Sequence, residues 1–270
     1  MAKPAPFYGP QYSRFGGEQA IALRREVYGE DLGQQGWRSL AEQAELPGLL
    51  RLDASSRLLD IACGSGGPSV DLVARSGCRV TGIDREEGGV AYARDLAAAR
   101  GMADRASFAV EDAAAPLPFP DGAFDAVLCI DSINHLGERF VRLADWARLL
   151  APGGRLLFAD PGVLTGGVEK SELDVRASLG AFLLVPPGLN ERAIAAAGLA
   201  LQRCEDRTAA VAEIAGRWHA ARARRGAALQ EEEGADWFAE RQRFLAVTAE
   251  LAGSGRLSRF LYLAEKPADG

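Results

Sequence analysis

The stretch Leu58-Leu59-Asp60-Ile61-Ala62-Cys63-Gly64-Ser65-Gly66-Gly67-Pro68-Ser69 constrains this chain more than any other. A short apolar strand, Arg57 to Asp60, ends on a carboxylate and empties into a glycine turn. Pro68 then opens Ser69-Val70-Asp71-Leu72-Val73-Ala74-Arg75, which carries a helical pattern. Proline suits a first helical turn, because its missing N–H would be unpaired there anyway. Strand, glycine turn and helix make a nucleotide-binding corner. Glycine lets backbone approach a ligand, and the helix start offers free N–H groups to an anion. A phosphate loop needs Gly-Lys-Ser/Thr at the turn, where this chain has Gly66-Gly67-Pro68. The dinucleotide fingerprint G-x-G-x-x-G, begun at Gly64, meets Ser69 where its third glycine belongs. Asp60 sits badly beside a pyrophosphate and well beside a ligand that carries positive charge.

The next strand, Cys78-Arg79-Val80-Thr81-Gly82-Ile83-Asp84, alternates and again ends on a carboxylate. Asp84 stands 20 residues beyond Gly64, the spacing at which an acid on the neighbouring strand tip takes both hydroxyls of a ribose. The β-α repeat continues through strands Ala106–Val110, Phe124–Ile130 and Arg155–Ala159, the last ending at Asp160-Pro161 after a tight turn at Ala151-Pro152-Gly153-Gly154. This predicts an open, doubly wound α/β sheet.

Within that frame, Asp60-Ile61-Ala62-Cys63-Gly64-Ser65-Gly66 resembles the D-x-G-C-G-x-G loop of class I S-adenosylmethionine-dependent methyltransferases, with Ala62 at the first glycine. Leu117-Pro118-Phe119 followed by Phe124-Asp125, and Leu149-Leu150 before Pro152-Gly153-Gly154, are patterns that family also uses. The resemblance covers roughly residues 55–160 strongly and 190–265 in outline. It lies nearest the ubiquinone-biosynthesis, sarcosine and natural-product branch of small-molecule O- or N-methyltransferases. It implies a Rossmann-like, seven-stranded mixed sheet with an antiparallel last strand, and S-adenosyl-L-methionine as cofactor. On this resemblance the helix start faces the ligand's carboxylate and Asp112 meets the adenine amino group. Asp60, Ala62, Gly64, Gly66, Asp84, Arg85, Glu111, Ala113 and Ile130 complete the expected cofactor set.

The remaining chain is expected to enclose that core. Residues 1–50 form an N-terminal helical cap, with helices at Glu18 to Val27 and roughly Trp37 to Leu50. Residues 51–161 are the cofactor-binding core, 162–189 a lid insert, and 190–206 the core continued. Residues 207–254 make a helical lid insert of two helices split at Gly234, and 255–270 the last core strand and tail. A helical segment is expected from Glu172 to Val185. In related enzymes such a preface folds over the cofactor, so Tyr28, Gln34 and Trp37 are candidate wall residues; Tyr28 and Trp37 read equally well as packed core.

Methyl transfer from a sulfonium is an in-line displacement that mainly needs alignment and exclusion of water. A hydroxyl acceptor must also lose a proton, a task suited to histidine. His135 falls five residues after the fourth strand and Asp160 at the fifth strand's tip, so Asp160 is expected to orient the imidazole as base. The pair also resembles the histidine and aspartate of sugar O-methyltransferases of natural-product biosynthesis. Alternatively His135 caps the following helix, and an amine acceptor would need no base. The expected function is therefore methyl transfer to a hydroxyl or amine of a small molecule, with a place in secondary metabolism. A scaffold that keeps the cofactor structurally, or an NAD-dependent oxidoreductase, are the rival readings.

Composition narrows the classes further. A net charge of −6 argues against a nucleic-acid substrate, and Asp131-Ser132-Ile133-Asn134 is not the Asn/Asp-Pro-Pro-aromatic run of nucleic-acid amino-methyltransferases. No run approaches the ~18 apolar residues of a membrane span, and Met1 to Pro6 lack a signal-peptide core, so a cytoplasmic monomer or homodimer is expected. Cys63, Cys78, Cys129 and Cys204 make no C-x-x-C pair and read as reduced core thiols, with no metal site. The arginines at 217, 222, 224 and 225 before Glu231-Glu232-Glu233 read as a solvated face.

Overall fold

Leu58 to Ile61 are all buried in β1 (Arg57–Ile61), as a central parallel strand covered on both faces requires. A computed structural model describes residues 9–268. Its helices before β1 are a single turn α1 (Gly9–Tyr12), α2 (Glu18–Tyr28) and α3 (Leu40–Leu49). After β1 come α4 (Gly67–Ser76), β2 (Arg79–Asp84), α5 (Glu87–Ala99), β3 (Ala106–Val110), β4 (Phe124–Ile130), α6 (Arg139–Leu149) and β5 (Leu150–Leu164). The second half holds α7 (Lys170–Arg176), α8 (Leu189–Ala196), β6 (Ala200–Asp206), α9 (Thr208–Arg224), α10 (Gly226–Glu233), α11 (Ala235–Gly253) and β7 (Leu257–Glu265).

Among the described residues the sheet has seven strands in the order β3-β2-β1-β4-β5-β7-β6. The first five run parallel. β7 enters antiparallel between β5 and β6, as expected of this mixed sheet. The strand order reverses between β1 and β4, and ligands of open α/β sheets bind beyond the strand ends at that switch. One apolar layer gathers around Trp146, Leu143, Phe158 and Tyr262, and the other around Leu46, Val70, Val90, Phe108 and Leu157. A third cluster of Leu23, Val27, Tyr28, Leu179, Ile214, Trp218 and Phe244 joins α2, α9 and α11 into a cap.

The cap is seated directly on the glycine turn. A Cβ at Gly67 would fall 1.7 Å from the Leu32 carbonyl oxygen, so only glycine lets the loop before α3 lie there. Ser65 Oγ donates to the Gly33 carbonyl at 2.8 Å. Further along, Arg259 on β7 donates to both carboxylate oxygens of Glu42 on α3, at 2.6 and 2.8 Å, and to Asp131 after β4 at 2.6 Å. Arg259 is wholly buried and Glu42 nearly so. Each charge of this triad compensates another where water cannot.

Several boundaries differ from the sequence reading for local reasons. Ser39 caps α3 by accepting from the Glu42 N–H at 3.1 Å, so the helix starts at Leu40 and Trp37 lies in a loop. The helix expected from Glu172 to Val185 stops at Arg176. Residues 177–180 turn, and 181–185 leave the helix because Leu183 N–H bonds to the Asn134 carbonyl and Val185 N–H to that of Gly162. β5 begins at Leu150 and continues through Asp160 to Leu164, since β7 pairs along it as far as Leu257. The second insert holds three helices, with an additional break at Arg225. The four cysteines are free, and Cys204 is exposed on β6 rather than in the core. Of the arginines expected on a solvated face, Arg217 and Arg224 are exposed, whereas Arg222 is buried against Glu233; Arg224 and Arg225 pair with Glu26 of α2. No helix of the described residues is long and apolar enough to cross a membrane.

Candidate active site

Beyond the tips of β1 to β4 lies a cavity of about 300 Å³, walled on one side by the glycine turn and on the other by the cap. Ala62, Gly64 and Gly66 of the turn all have positive φ (57°, 58° and 70°). An L-residue at Ala62 costs about 1–2 kcal/mol there, which is the physical content of glycine at the matching family position. The turn is held by Asp84, whose carboxylate accepts the Gly64 N–H at 2.8 Å and the Glu86 N–H at 2.9 Å. Burial raises the Asp84 carboxyl above its usual range, against those two bonds. Asp60 is buried more deeply and accepts from Ser69 Oγ at 2.5 Å. Burial pushes its carboxyl up to about 6, opposed by Ser69 and the nearby Arg38 and assisted by Asp84.

The cap supplies the opposite wall. Asp131, in left-handed backbone (φ 56°), accepts the Trp37 N–H at 2.7 Å. Trp37 and Gln34 face the cavity, while Tyr28 stands behind them. The Tyr28 hydroxyl donates to the Gly36 carbonyl at 2.7 Å and lies 3.2 Å from Trp218 Nε1, so it braces the wall without lining it. Arg38 also lines the cavity, and its guanidinium makes no hydrogen bond or ion pair among the described residues. Burial lowers its pKa, while Asp60, Glu42 and Asp131 raise it.

His135 lies at the far end, in a short 3₁₀ turn after β4 (Ile133–His135). Its Nδ1 is 2.9 Å from the Ala181 carbonyl oxygen. A carbonyl only accepts, so Nδ1 carries the proton and the ring's lone pair is on Nε2. Burial lowers the imidazole pKa. The Ala181 bond and Asp160 raise it, and Arg85 and Arg176 lower it further.

Asp160 does not take the orienting role expected of it. It is fully buried inside β5, and its carboxylate binds Arg139, Asn190 Nδ2 at 2.9 Å and the Gly162 N–H at 2.9 Å. The backbone of residue 181 occupies the position at His135 that Asp160 was expected to fill.

Of the remaining expected cofactor residues, Asp60, Ala62, Gly64, Asp84, Arg85, Glu111, Asp112, Ala113 and Ile130 face the same cavity; Gly66 does not. Gly66 caps α4, and a Cβ there would strike Ala93 and Phe108. The site also contains residues that sequence reasoning missed: Tyr12, Arg38, Asp131, Asn134, Arg241 and Phe244. The cap residues among them follow no local motif. Asp131 and Asn134 did sit in the stretch after β4, where chemistry was expected.

Comparison with known proteins agrees with this geometry. Residues 59–158 match the sequence profile of the methyltransferase domain family. Over 170 residues the chain is 35% identical to the 27-O-demethylrifamycin SV methyltransferase of Amycolatopsis mediterranei (strain S699), covering 59% of this chain and 60% of that protein. It thus spans less than two thirds of that relative. The fold superposes with a TM-score of 0.79 on the Haemonchus contortus phosphoethanolamine N-methyltransferase 2, at 20% identity over 97% of this chain and 60% of that one. It superposes at 0.74 on the [4+2]-cyclase SpnF, at 22% identity over 99% and 98%.

Proposed function

We propose that this protein is an S-adenosylmethionine-dependent methyltransferase whose acceptor is a hydroxyl of a moderately apolar small molecule. The observation that carries the reading is the row of carboxylates Asp60, Asp84 and Asp112 beside the tips of three adjacent strands, in one cavity with His135. An acidic wall fits a ligand that is cationic at its sulfonium and ammonium. Bound there, the cofactor supplies a methyl group on a good neutral leaving group.

The residues present fit that ligand. Asp84 offers two acceptor oxygens to a ribose diol, Asp112 is exposed for an adenine amino group, and Arg38 is a guanidinium open to the ligand's carboxylate. Ala62, Gly64 and Ile130 provide close backbone and apolar walls. At the acceptor end His135 Nε2 takes the hydroxyl proton as the oxygen attacks. Asn134, wholly buried in the wall beside it, has an amide oxygen and nitrogen without hydrogen-bond partners among the described residues. It is a polar handle for the acceptor, while Trp218, Phe244 and Leu245 give that end an apolar lining. The accepting Nε2 favours a hydroxyl over an amine. The relative named 27-O-demethylrifamycin SV methyltransferase supports an oxygen acceptor and a place in secondary metabolism.

Calorimetry with S-adenosylmethionine, S-adenosylhomocysteine and NAD tests the cofactor. Asp84→Ala should weaken S-adenosylmethionine by about 1–3 kcal/mol, because a buried diol loses its charged acceptor. Single-turnover methylation tests the base: His135→Ala should slow it by roughly 10²–10⁴ with cofactor affinity unchanged. Release of S-adenosylhomocysteine with any hydroxyl acceptor excludes the scaffold reading. An unchanged rate in His135→Ala would return the acceptor to an amine.

A further inference from the structure

Between α7 and α8 the chain turns at 177–180 and then runs without regular structure past the acceptor end, where Phe182 lines the cavity. Three contacts hold it at His135. The Leu183 N–H donates to the Asn134 carbonyl at 2.7 Å, and the Ala181 carbonyl accepts from His135 Nδ1 at 2.9 Å. Between them Phe182 packs on the imidazole, with ring centroids 4.7 Å apart, and leans on Phe244 of α11 at 5.7 Å. Arg176, buried at the end of α7, lies over both phenyl rings at 4.9 and 4.5 Å and donates to Thr248 Oγ1 at 2.7 Å. The Asp160 carboxylate is committed to Arg139, Asn190 and the Gly162 N–H.

We propose that this flap, through Phe182 and the Ala181 carbonyl, is the positioning element of the His135 base, so that covering the acceptor and setting the imidazole's reactive tautomer are one event. A backbone carbonyl can hold the Nδ1 proton only while its segment is docked. With the flap lifted, the Ala181 carbonyl no longer fixes the Nδ1–H tautomer. The Nε2–H tautomer presents an N–H instead of a lone pair to the acceptor hydroxyl. The flap also screens the ring from water, which favours the neutral form that accepts a proton. The charged groups that act on the ring are Arg85 from the tip of β2, Arg176 from α7 and Asp160 from β5. The two arginines oppose protonation and Asp160 favours it. Undocking the flap removes the burial that outweighs the rest.

The proposal rests on His135 being the base, and the test separates the two. Phe182→Ala removes the packing and Leu183→Pro removes the N–H that ties the flap to Asn134, while the exposed Leu183 side chain loses little burial. Phe182→Leu keeps an apolar contact as control. Nitrogen-15 NMR of the imidazoles, with His219→Gln to assign the second histidine, reads the tautomer directly. In the wild type His135 should be the Nδ1–H form. In Phe182→Ala and Leu183→Pro it should be a mixture with Nε2–H, with the acid limb of the turnover profile moved up toward ~6.5. Turnover should fall by about 10-fold or more, within the span of one general base, with S-adenosylmethionine affinity unchanged and Phe182→Leu near wild type. If both variants keep the wild-type tautomer and acid limb, the flap's role is overturned and the base is untouched. If His135→Ala retains its rate, the base itself is overturned, whatever the NMR shows.

Discussion

Asp60 has an uncommon position for a carboxylate: it is buried beside Ser69, and its pKa is raised to about 6. The folded protein therefore holds this proton longer than the unfolded chain, whose aspartates titrate near ~3.9. The folded state binds more protons between about pH 4 and 6, so Asp60's contribution to stability falls as pH rises through that window. A cationic ligand reverses the balance by favouring the ionised form. S-adenosylmethionine affinity should increase from pH 5 to 7, with proton release that calorimetry detects in buffers of different ionisation enthalpy. Asp60→Asn should flatten that dependence; an unchanged slope would remove Asp60 from contact with the ligand's charge. Asp60 and Asp84 were legible because each ends a strand, one before the glycine turn and one 20 residues beyond Gly64, whereas Asp112 was read only through the family resemblance. Arg38 was not, because a lone arginine between a loop and a cap carries no spacing signal. Asp160 was misread because its partners, Arg139 and Asn190, are recruited by folding from 21 and 30 residues away.

At the scale of elements, the parallel strands and their helices declared themselves by apolar runs and glycine breaks. What stayed hidden was decided by partners remote in sequence. β5 outruns its expected end because β7 pairs beside it, and the flap is not helical because β4's following turn and β5 take its N–H groups. The same logic identifies a buried tie between α3 and the sheet. Arg259→Met would leave Glu42 and Asp131 facing each other without their cation. We expect a loss of about 3–5 kcal/mol, the range for breaking a buried pair by removing one partner, measured by urea denaturation. Glu42→Gln with Asp131→Asn in the Arg259→Met background should recover much of it. A loss under 1 kcal/mol, an amount ordinary for exposed pairs, would show that the triad is not a tie.

For the molecule as a whole, the sheet carries the cofactor end of the cavity, while the cap and the flap close the other end. The cap's apolar cluster stands apart from the two layers on the sheet, joined to it by the glycine-turn contact and the Arg259 triad. Elements with their own small core open at lower free energy than the sheet they cover. Residues 18–38 and 208–235 should exchange amide hydrogen faster than β1 and β4 in the free protein, and become protected when cofactor and acceptor bind. Equal exchange in free and ternary states would mean a permanently closed roof. The open doubly wound sheet was readable from the β-α rhythm and the glycine corner, and its seven-stranded mixed form through the family resemblance, but the roof's three-helix build was not. Its charged, alanine-rich sequence buries one arginine, Arg222, that looks solvent-bound until Glu233 is brought to it.

Glu42 and Arg259 are separated by 217 residues, which gives the triad a meaning in time as well as in space. A polypeptide leaves the ribosome N-terminus first and its domains form as they emerge. The glycine corner and β1 to β4 can pair while most of the second half has yet to be translated. During that interval Glu42 and Asp131 have no Arg259 between them, and a roof that approaches the sheet brings two anions together. The latch arrives only with β7, which must slide between β5 and β6 to deliver it. A nascent chain can thus assemble the floor of its pocket early, and the strand that secures the roof is the last to be made.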